Sequence, residues 1–465
     1  MTEGPLPVRS RRRRRILSGV VVAVVAAVVA AMAITWWVPA YRLSAARASW
    51  QPPPDAAISS PVRKQPVTGW RTDPVKLGLP SAGDSRIAVS GDPFGPRPFV
   101  GSIESRAYFL AHSASGDRAQ WWLVGLDAST GGALFDAVLF SEDERPPQCF
   151  LNGPNDILCL GRSSVPSAAV IDGQTGVVKY RGSTDLRALD GGQSVKQVGI
   201  YAVAVSSGEG VFGIGAQAQR TWFVPGNGSI AVARPGAASQ TLTAQLEADP
   251  STYVSTVFSV ADGNVVEPEI DEGYTLGSTA FYTGGFAAEI RDPKGRSTGI
   301  RFFDEAGRRV GDYGESGVLA DSGVDLPVVS SEPDDERIVF SSHGEKLFET
   351  AYGALALVGT TLMVNRTDSQ TFPEWQQYNM RDGSAGPVCD FPMDDYLGHH
   401  ESTLVFQFSQ VSGDVSMVAR DLKSCERLWS IPKEGESLER VWLIDGTLVQ
   451  LKDRGAELIS LVAPT

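Results

Sequence analysis

The chain repeats a short pattern in which an apolar, strand-like run ends at an aspartate and is followed by a turn and a glycine. The first clear copy is Trp121–Gly131, which contains Asp127, and Ala168–Gly176 repeats it around Asp172, 45 residues further on. An aspartate in this position accepts hydrogen bonds from backbone N–H groups of the turn, and the glycine takes the positive φ that ends it. The pattern predicts pairs of antiparallel strands joined by the same tight turn.

Weaker copies follow at related intervals, and they are centred on Asp262, Asp304, Asp382 and Asp421. Between the copies lie short apolar or alternating runs separated by turn residues, and no run keeps a helical period beyond two turns. Turns between outer strands at intervals of about 40–45 residues are typical of β-propeller blades. We therefore predict an all-β propeller of about eight four-stranded blades over residues 84–465, with seven blades as the alternative.

The end of the chain indicates how such a ring would close. Val441–Ile444, Thr447–Leu451 and Glu457–Val462 read as three strands, and the chain then ends within a few residues. A fourth strand taken from near Arg86–Ser90 would complete this last blade and remove an exposed sheet edge.

The N-terminus predicts a membrane anchor. Residues 1–15 form a basic tail with six arginines, and Ile16–Trp37 is an uncharged run rich in Val and Ala. At 1.5 Å per residue the run spans roughly 33 Å, which is enough to cross the hydrocarbon core. Arginines remain cytoplasmic, so the rest of the chain would be extracytoplasmic on a single-pass membrane protein. A cleaved signal peptide is the alternative, although its small-x-small site at Ala31–Ala33 would lie inside the apolar run.

Residues 38–83 contain many prolines and few apolar clusters. This composition favours an extended polyproline-like stalk between the transmembrane helix and the head. The net charge of −13 argues against a nucleic-acid partner. We expect two kinds of partner: the membrane, through residues 16–37, and a protein or another component of the cell envelope.

Four cysteines in an extracytoplasmic head are predicted to form two disulfides. Cys149 and Cys159 flank a strong turn signal centred on Pro154, so a symmetric hairpin places them opposite each other, within disulfide range. Cys389 and Cys425 remain as the second pair by elimination. The alternative for both pairs is buried free thiols.

The Asp-x-x-Thr-Gly turns at Asp127 and Asp172 resemble the Leu-Asp-x-x-Thr-Gly turns of PQQ-like (quinoprotein-type) propeller repeats. Trp429 matches the tryptophan of the family's fourth strand, and Phe135 and Tyr180 occupy the analogous place in earlier blades. The resemblance covers residues 84–465. It implies either a quinone-dependent dehydrogenase or a non-enzymatic bacterial propeller, such as lipoprotein assembly factors and anchored proteins of high-GC Gram-positive bacteria.

The enzymatic alternative would use the propeller channel with PQQ and Ca²⁺. The resemblance then implies Ca²⁺ ligands, a catalytic Asp and, in many members, adjacent cysteines, but the four cysteines stand apart in the sequence. The chain also lacks the Gly-x-Ser-x-Gly and His-Glu-x-x-His motifs of hydrolases. We therefore predict a binding or scaffold module without catalytic or cofactor-binding residues.

One local cluster contains residue types that bind divalent cations. It comprises Asp394, Asp395, His399, His400 and Glu401, which lie in a predicted loop between blades. Carboxylates and imidazoles are suitable ligands for several metals. The alternative interpretation is a solvated loop.

Overall fold

The computed structural model describes residues 40–464 except for short gaps at 54–55, 82–83, 90–97, 116–117, 142–144, 162–165, 187–188, 191–192, 233–238, 250–252, 315–316, 321–322, 332–335, 352, 368–372, 409–413 and 434–439. Residues 40–49 form a helix, and almost all of the regular structure that follows is strand. The predicted basic tail 1–15 and transmembrane segment 16–37 lie outside the described residues. In the part that is described, no helix is both long enough and apolar enough to cross a bilayer.

The described strands form nine antiparallel sheets, one for each blade. β1 (Val67–Thr72) belongs to the last blade. Blade 1 contains β2 (Arg86–Ile87), β3 (Phe99–Ile103), β4 (Arg106–Ser115), β5 (Arg118–Asp127) and β6 (Val138–Ser141). Blade 2 contains β7 (Gln148–Leu151), β8 (Asp156–Leu160), β9 (Ser167–Asp172) and β10 (Val178–Ser183). Blade 3 contains β11 (Leu189–Asp190), β12 (Gln193–Val198), β13 (Tyr201–Ser206), β14 (Gly210–Ile214) and β15 (Arg220–Pro225).

Blade 4 contains β16 (Leu242–Leu246) and β17 (Ser255–Ser259), extended on both sides by single bridges from Ile230 and Val265. Blade 5 contains β18 (Thr275–Tyr282), β19 (Gly285–Arg291), β20 (Ser297–Asp304) and β21 (Arg309–Tyr313). Blade 6 contains β22 (Gly317–Leu319), β23 (Val328–Ser331), β24 (Arg337–Phe340) and β25 (Lys346–Thr350).

Blade 7 contains β26 (Leu355–Val358), β27 (Thr361–Asn365), β28 (Trp375–Asn379) and β29 (Ala385–Cys389). Blade 8 contains β30 (Tyr396–His400), β31 (Thr403–Gln407), β32 (Val415–Asp421) and β33 (Arg427–Pro432). Blade 9 contains β34 (Arg440–Ile444), β35 (Thr447–Lys452) and β36 (Glu457–Val462), with β1 as its fourth strand. Short 3-10 helices lie at Met393–Asp395 and Asp453–Gly455.

The hydrophobic core is divided among the interfaces between consecutive blades. β8 shows why, because Ile157 and Cys159 pack toward blade 1 while Leu158 and Leu160 pack toward blade 3. Successive side chains of a strand point to opposite faces, so a strand between two blades buries both of its faces. This is the reason that the middle strands read as continuous apolar runs and not as alternating ones.

The propeller prediction is confirmed, and the described sheets number nine where the repeat predicts about eight. The six predicted copies of the repeat lie between the third and fourth strands of blades 1, 2, 4, 5, 7 and 8. Blade 9 has no such turn, because its fourth strand, β1, precedes its other three strands in the sequence. The predicted number follows from the length of residues 84–465 and an interval of about 45 residues, and this range leaves out β1, which belongs to the ring.

A strand from the N-terminal side closes the ring, as predicted, but this strand is not the predicted one. β1 pairs antiparallel with β36, from Val67 opposite Val462 to Thr72 opposite Leu458. Arg86–Ser90 was the predicted closing segment, but its β2 part pairs with β4 inside blade 1, with Arg86 opposite His112.

The predicted stalk is wrong for the described part of residues 38–83. Ala46 and Trp50 are buried between blades 6 and 7, and Ile58 and Val62 are buried between blades 8 and 9. The prolines exclude regular helix in much of this segment, but they do not prevent an extended chain from packing on the ring. Ala46 and Trp50 lie four residues apart, at helical spacing, but this pair is too short a pattern to predict docking, and Ile58 and Val62 lie among prolines.

Substitution of Trp70 tests the seam between blades 9 and 1. The Trp70 Nε1–H donates to the carbonyl oxygen of Ala128 at 2.9 Å, and its ring lies against Gly131. We expect Trp70→Ala to lower the free energy of unfolding by about 2–4 kcal/mol, because it removes a half-buried ring and a hydrogen bond. Trp70→Phe should cost less, since it keeps most of the packing. Urea denaturation measures both, with the exposed Val67→Ala as control; equal stability of Trp70→Ala and this control would contradict the role of the seam.

Candidate binding surface: the turn face and the N-terminal strap

The turns predicted from the sequence gather at one end of the ring. Strands within a blade alternate in direction, so the turn after its first strand and the turn after its third strand lie at the same end. We call this end the turn face; in blade 8 it is formed by Glu401–Ser402 and Leu422–Glu426. The other end, which carries turns such as Asp292–Arg296 of blade 5, is called the opposite face.

The aspartate of the repeated turn holds it in place, as the motif predicts. The Asp127 carboxylate accepts hydrogen bonds from the Ser129 backbone N–H and hydroxyl at 2.9 and 2.8 Å. Burial acts to raise the pKa of Asp127, but these hydrogen bonds outweigh burial and lower it. The pKa of Asp172 is lowered further, chiefly by its hydrogen bond with the Lys179 ammonium. These aspartates are therefore charged structural caps.

The glycine of the repeated turn has a second role, which the sequence motif alone does not show. Gly131, with φ +75°, lies under the Trp70 ring so closely that a Cβ there would be 2.5 Å from it. Further glycines at this position contact a large side chain that comes from the preceding blade. These contacts are Phe135 on Gly176, Trp222 on Gly263, Val266 on Gly307 and Phe302 on Gly344. Glycine is required for its φ and for this close approach.

Blade 8 replaces this glycine with Cys425. The turn is otherwise the same, because the Cys425 N–H donates to the Asp421 carbonyl at 2.9 Å, as the Gly131 N–H does to Asp127 at 2.8 Å. Cys425 also has positive φ, at +62°. Its Sγ is bonded to Cys389 in the fourth strand of blade 7. A covalent link between consecutive blades thus stands where other blades pack a side chain on glycine.

Both predicted disulfides are present. Cys149 lies directly opposite Cys159 in the β7–β8 hairpin, with Cα atoms 4.0 Å apart, as the turn at Pro154 predicts. Cys389 and Cys425 are bonded with Cα atoms 5.5 Å apart. The first disulfide links strands within one blade, and the second links two blades.

Residues 40–66, which we call the strap, cross the turn face from blade 6 to blade 9. The Arg47 guanidinium donates to the carbonyl oxygens of Leu347 at 2.7 Å and Asp382 at 3.3 Å, and it lies over the Phe348 ring. A Cβ on Gly383 would overlap this guanidinium, so Arg47 fills the place that an aromatic ring takes in other blades.

The second half of the strap is held by blades 8 and 9. Ile58 N–H donates to the His399 carbonyl at 2.6 Å, and the Ser59 N–H donates to the Gly446 carbonyl at 2.8 Å. The Trp429 Nε1–H donates to the Val62 carbonyl at 2.8 Å. Trp429, which the resemblance identifies, therefore packs on the strap.

The Arg63–Asp421 ion pair ends the strap. Arg63 Nη1 lies 2.7 Å from Asp421 Oδ2, and the carboxylate also accepts hydrogen bonds from the backbone N–H groups of Lys423 and Ser424. Burial acts to raise the pKa of Asp421, but these donors hold it at about 2. One carboxylate thus fixes both the turn of blade 8 and the strap.

The two histidines among the candidate metal ligands make other contacts. The Tyr396 hydroxyl lies 2.9 Å from His399 Nδ1, and His400 Nδ1 lies 2.8 Å from the Ile58 carbonyl oxygen. Burial, and then the neighbouring Asp394, raise the pKa of Asp395. Within the described ranges, no three His, Cys, Asp or Glu side chains form a group that could hold a metal. The His399 and His400 region is a docking site for the strap.

A small cleft on the turn face lies between blades 4, 5 and 6. Its walls include Thr283, Glu305 and Asp325, and the Asp325 carboxylate accepts hydrogen bonds from the Thr283 N–H at 2.8 Å and hydroxyl at 2.5 Å. The volume of about 20 Å³ corresponds to a single water molecule. This cleft does not fit a cofactor of the size of a quinone.

Comparison with known proteins identifies the family. Residues 42–464 match the conjugation-associated 9-bladed beta-propeller domain. The chain belongs to this family. The match includes most of the strap, and its nine blades agree with the nine described sheets. The resemblance to PQQ-like repeats thus correctly indicates a propeller, while the family shown is the nine-bladed one.

A relative and two solved structures illustrate the range of similarity. An uncharacterized protein of Mycolicibacterium smegmatis (strain MKD8) is 37% identical over 441 residues, which cover 90% of this chain and 89% of that protein. BamB from Moraxella catarrhalis is 10% identical, with 86% of this chain and 100% of that chain covered and a TM-score of 0.29. The dihydro-heme d1 dehydrogenase NirN is 11% identical, with 73% and 80% covered and a TM-score of 0.31.

Replacement of the inter-blade disulfide tests the role of Cys425 as a substitute for the turn glycine. We expect Cys389→Ala/Cys425→Ala to lower the free energy of unfolding by about 2–4 kcal/mol. Cys389→Ala/Cys425→Gly should be more stable than that variant by about 1 kcal/mol, because glycine adopts φ +62° without strain. Urea denaturation of the two variants and of Cys149→Ala/Cys159→Ala measures this. Equal stability of the Cys425→Ala and Cys425→Gly versions would contradict the interpretation.

Asp421 predicts an acid-dependent loss of stability. Its pKa of about 2 in the folded protein is below the usual 3.8, so its contribution is present above about pH 4 and is lost as the pH falls toward 2. We expect Asp421→Asn to be about 2 kcal/mol less stable than the wild type at pH 6 and nearly equal to it at pH 2. Urea titrations across this range measure the difference, with the exposed Asp445→Asn as control. A difference that does not change with pH would contradict the assignment.

Proposed function

We propose that this protein is a membrane-tethered, extracytoplasmic scaffold that binds a protein of a conjugation apparatus in the cell envelope, without catalysis. The observation that carries the extracytoplasmic part is the pair of disulfides, which include all four cysteines of the chain. Structural disulfides form and persist in oxidising compartments outside the cytoplasm. The basic tail 1–15 and the apolar run Ile16–Trp37 supply a tether of matching orientation.

The binding role rests on the architecture of the head. The polar groups described above are used within the ring: the aspartates cap turns, His400 and Arg63 hold the strap, and Asp325 holds Thr283. A propeller leaves two broad loop faces for recognition, and such faces bind other proteins without chemistry. The family name supplies the process, so the partner we propose is another protein of the conjugation apparatus.

Two measurements test the proposal in cells that carry the full chain. Protease added to intact spheroplasts should digest the head and leave the first forty residues protected; protection of the head would overturn the topology. A photo-crosslinking residue in place of Lys294 or Glu209, both exposed on the opposite face, should give a discrete adduct with an envelope protein in conjugating cells.

The crosslinking has a matched control, and a separate assay tests for catalysis. Substitution of Arg71, an exposed residue of the outer strand β1, should give no such adduct. The same purified protein should not reduce an artificial electron acceptor when PQQ and Ca²⁺ are added. Reduction under these conditions would overturn the non-catalytic role and favour the quinone-dependent dehydrogenase.

A further inference from the structure

The start of the docked helix limits how far the head can lie from the predicted membrane segment. Only Val38 and Pro39 separate Trp37 from the helix over residues 40–49. A fully extended chain advances at most about 3.3–3.6 Å per residue, so Ala40 lies within about 11 Å of Trp37. The chain on this side of the ring is therefore too short to act as a stalk.

The helix is fixed to the ring, so this short connection also fixes the orientation of the head. Ala46 and Trp50 are buried between blades 6 and 7, and Arg47 donates to carbonyl oxygens of both blades. These contacts lie on the turn face. A tether that enters here brings the turn face of blades 6 to 9 toward the bilayer.

The charge of the strap fits such a position. The chain as a whole has a net charge of −13, but the strap contains Arg42, Arg47, Arg63 and Lys64 and a single acidic residue, Asp55. Arg42 and Lys64 are exposed, and the Arg63 side chain remains 67% exposed beside Asp421. Tyr41 is 72% exposed at the start of the helix. Tyrosine favours the headgroup region of either leaflet, and exposed basic residues are attracted to anionic lipid.

We propose that the exposed cations of the strap, Arg42, Arg63 and Lys64, bind anionic phospholipid headgroups, so that the turn face lies against the bilayer and the opposite face is presented to partners. This inference rests on the proposed membrane tether and adds the orientation of the ring. Attraction between a cation and the headgroups acts within about a Debye length, 8–10 Å at physiological salt, and the short connection holds Arg42 closest to this range. The turn face also carries the turn aspartates, so the attraction is confined to the strap, where Arg47 lies beside Asp382 and Arg63 pairs with Asp421.

The test uses the full chain in liposomes of phosphatidylcholine alone or of phosphatidylcholine and phosphatidylglycerol in equal amounts. All four native cysteines are in disulfides, so one introduced cysteine takes the fluorescent label. Lys423→Cys places it on the turn face, and Lys294→Cys places it in an exposed turn of the opposite face. A lipid with a nitroxide on its headgroup serves as the quencher.

We expect quenching at position 423 to be several-fold stronger than at position 294, and stronger still in the anionic liposomes. With the label at position 423, Arg42→Gln/Lys64→Gln should remove the additional quenching that anionic lipid causes. The control Lys196→Gln/Lys294→Gln, with the same label, should keep this additional quenching. Protein that floats with the liposomes but is quenched equally at both positions would overturn the orientation and leave the tether intact. Protein that does not float with liposomes would overturn the tether, and the orientation with it.

Discussion

The pairing of β1 with β36 is the contact on which the rest of the ring depends. Each blade buries apolar side chains on both of its faces, so an open ring would expose one face of blade 9 and one face of blade 1 at once. β1 joins residues near the start of the described chain to its last strand and contributes Trp70 to the turn of blade 1. The ring is thus held by non-local contacts, whose chain entropy cost is met only when the last blade forms.

The close approach of neighbouring blades explains why one turn geometry recurs around the ring. Neighbouring blades must approach closely at the turn face, and a glycine beneath a large side chain of the preceding blade permits this approach. The position accepts different solutions. Blade 1 receives Trp70, blade 7 receives Arg47 from the strap, and blade 8 uses Cys425 in a disulfide. What is required is a tight link between blades, and the chemistry of the link is free to vary.

The sequence predicts what is local and misses what depends on distant contacts. The turns at Asp127 and Asp172 and the hairpin disulfide Cys149–Cys159 are set by residues within about a dozen positions of one another, and all are found in the structure. The closing strand was misplaced because Val67–Thr72 lies in a proline-rich segment and has no apolar alternation of its own. His399 and His400 suggested metal ligands, but their partners are Tyr396 and a carbonyl some 340 residues earlier in the chain, at Ile58. The position of Cys425, four residues after Asp421, is a usable signal, because Gly131 and Gly176 stand four residues after Asp127 and Asp172.

The strap connects the fold to the proposed function. It is the only described segment that contacts blades 6, 7, 8 and 9 in turn, and it then becomes the strand that closes the ring. A pull on residue 40 therefore reaches the Arg47 and Arg63 contacts before it reaches β1. Because the strap crosses the turn face and β1 lies at the outer edge of blade 9, force from the tether would be spread over four blades and would not peel the closing strand from β36. In the proposed membrane-anchored scaffold, this arrangement would keep the load away from the pairing of β1 with β36 that closes the ring.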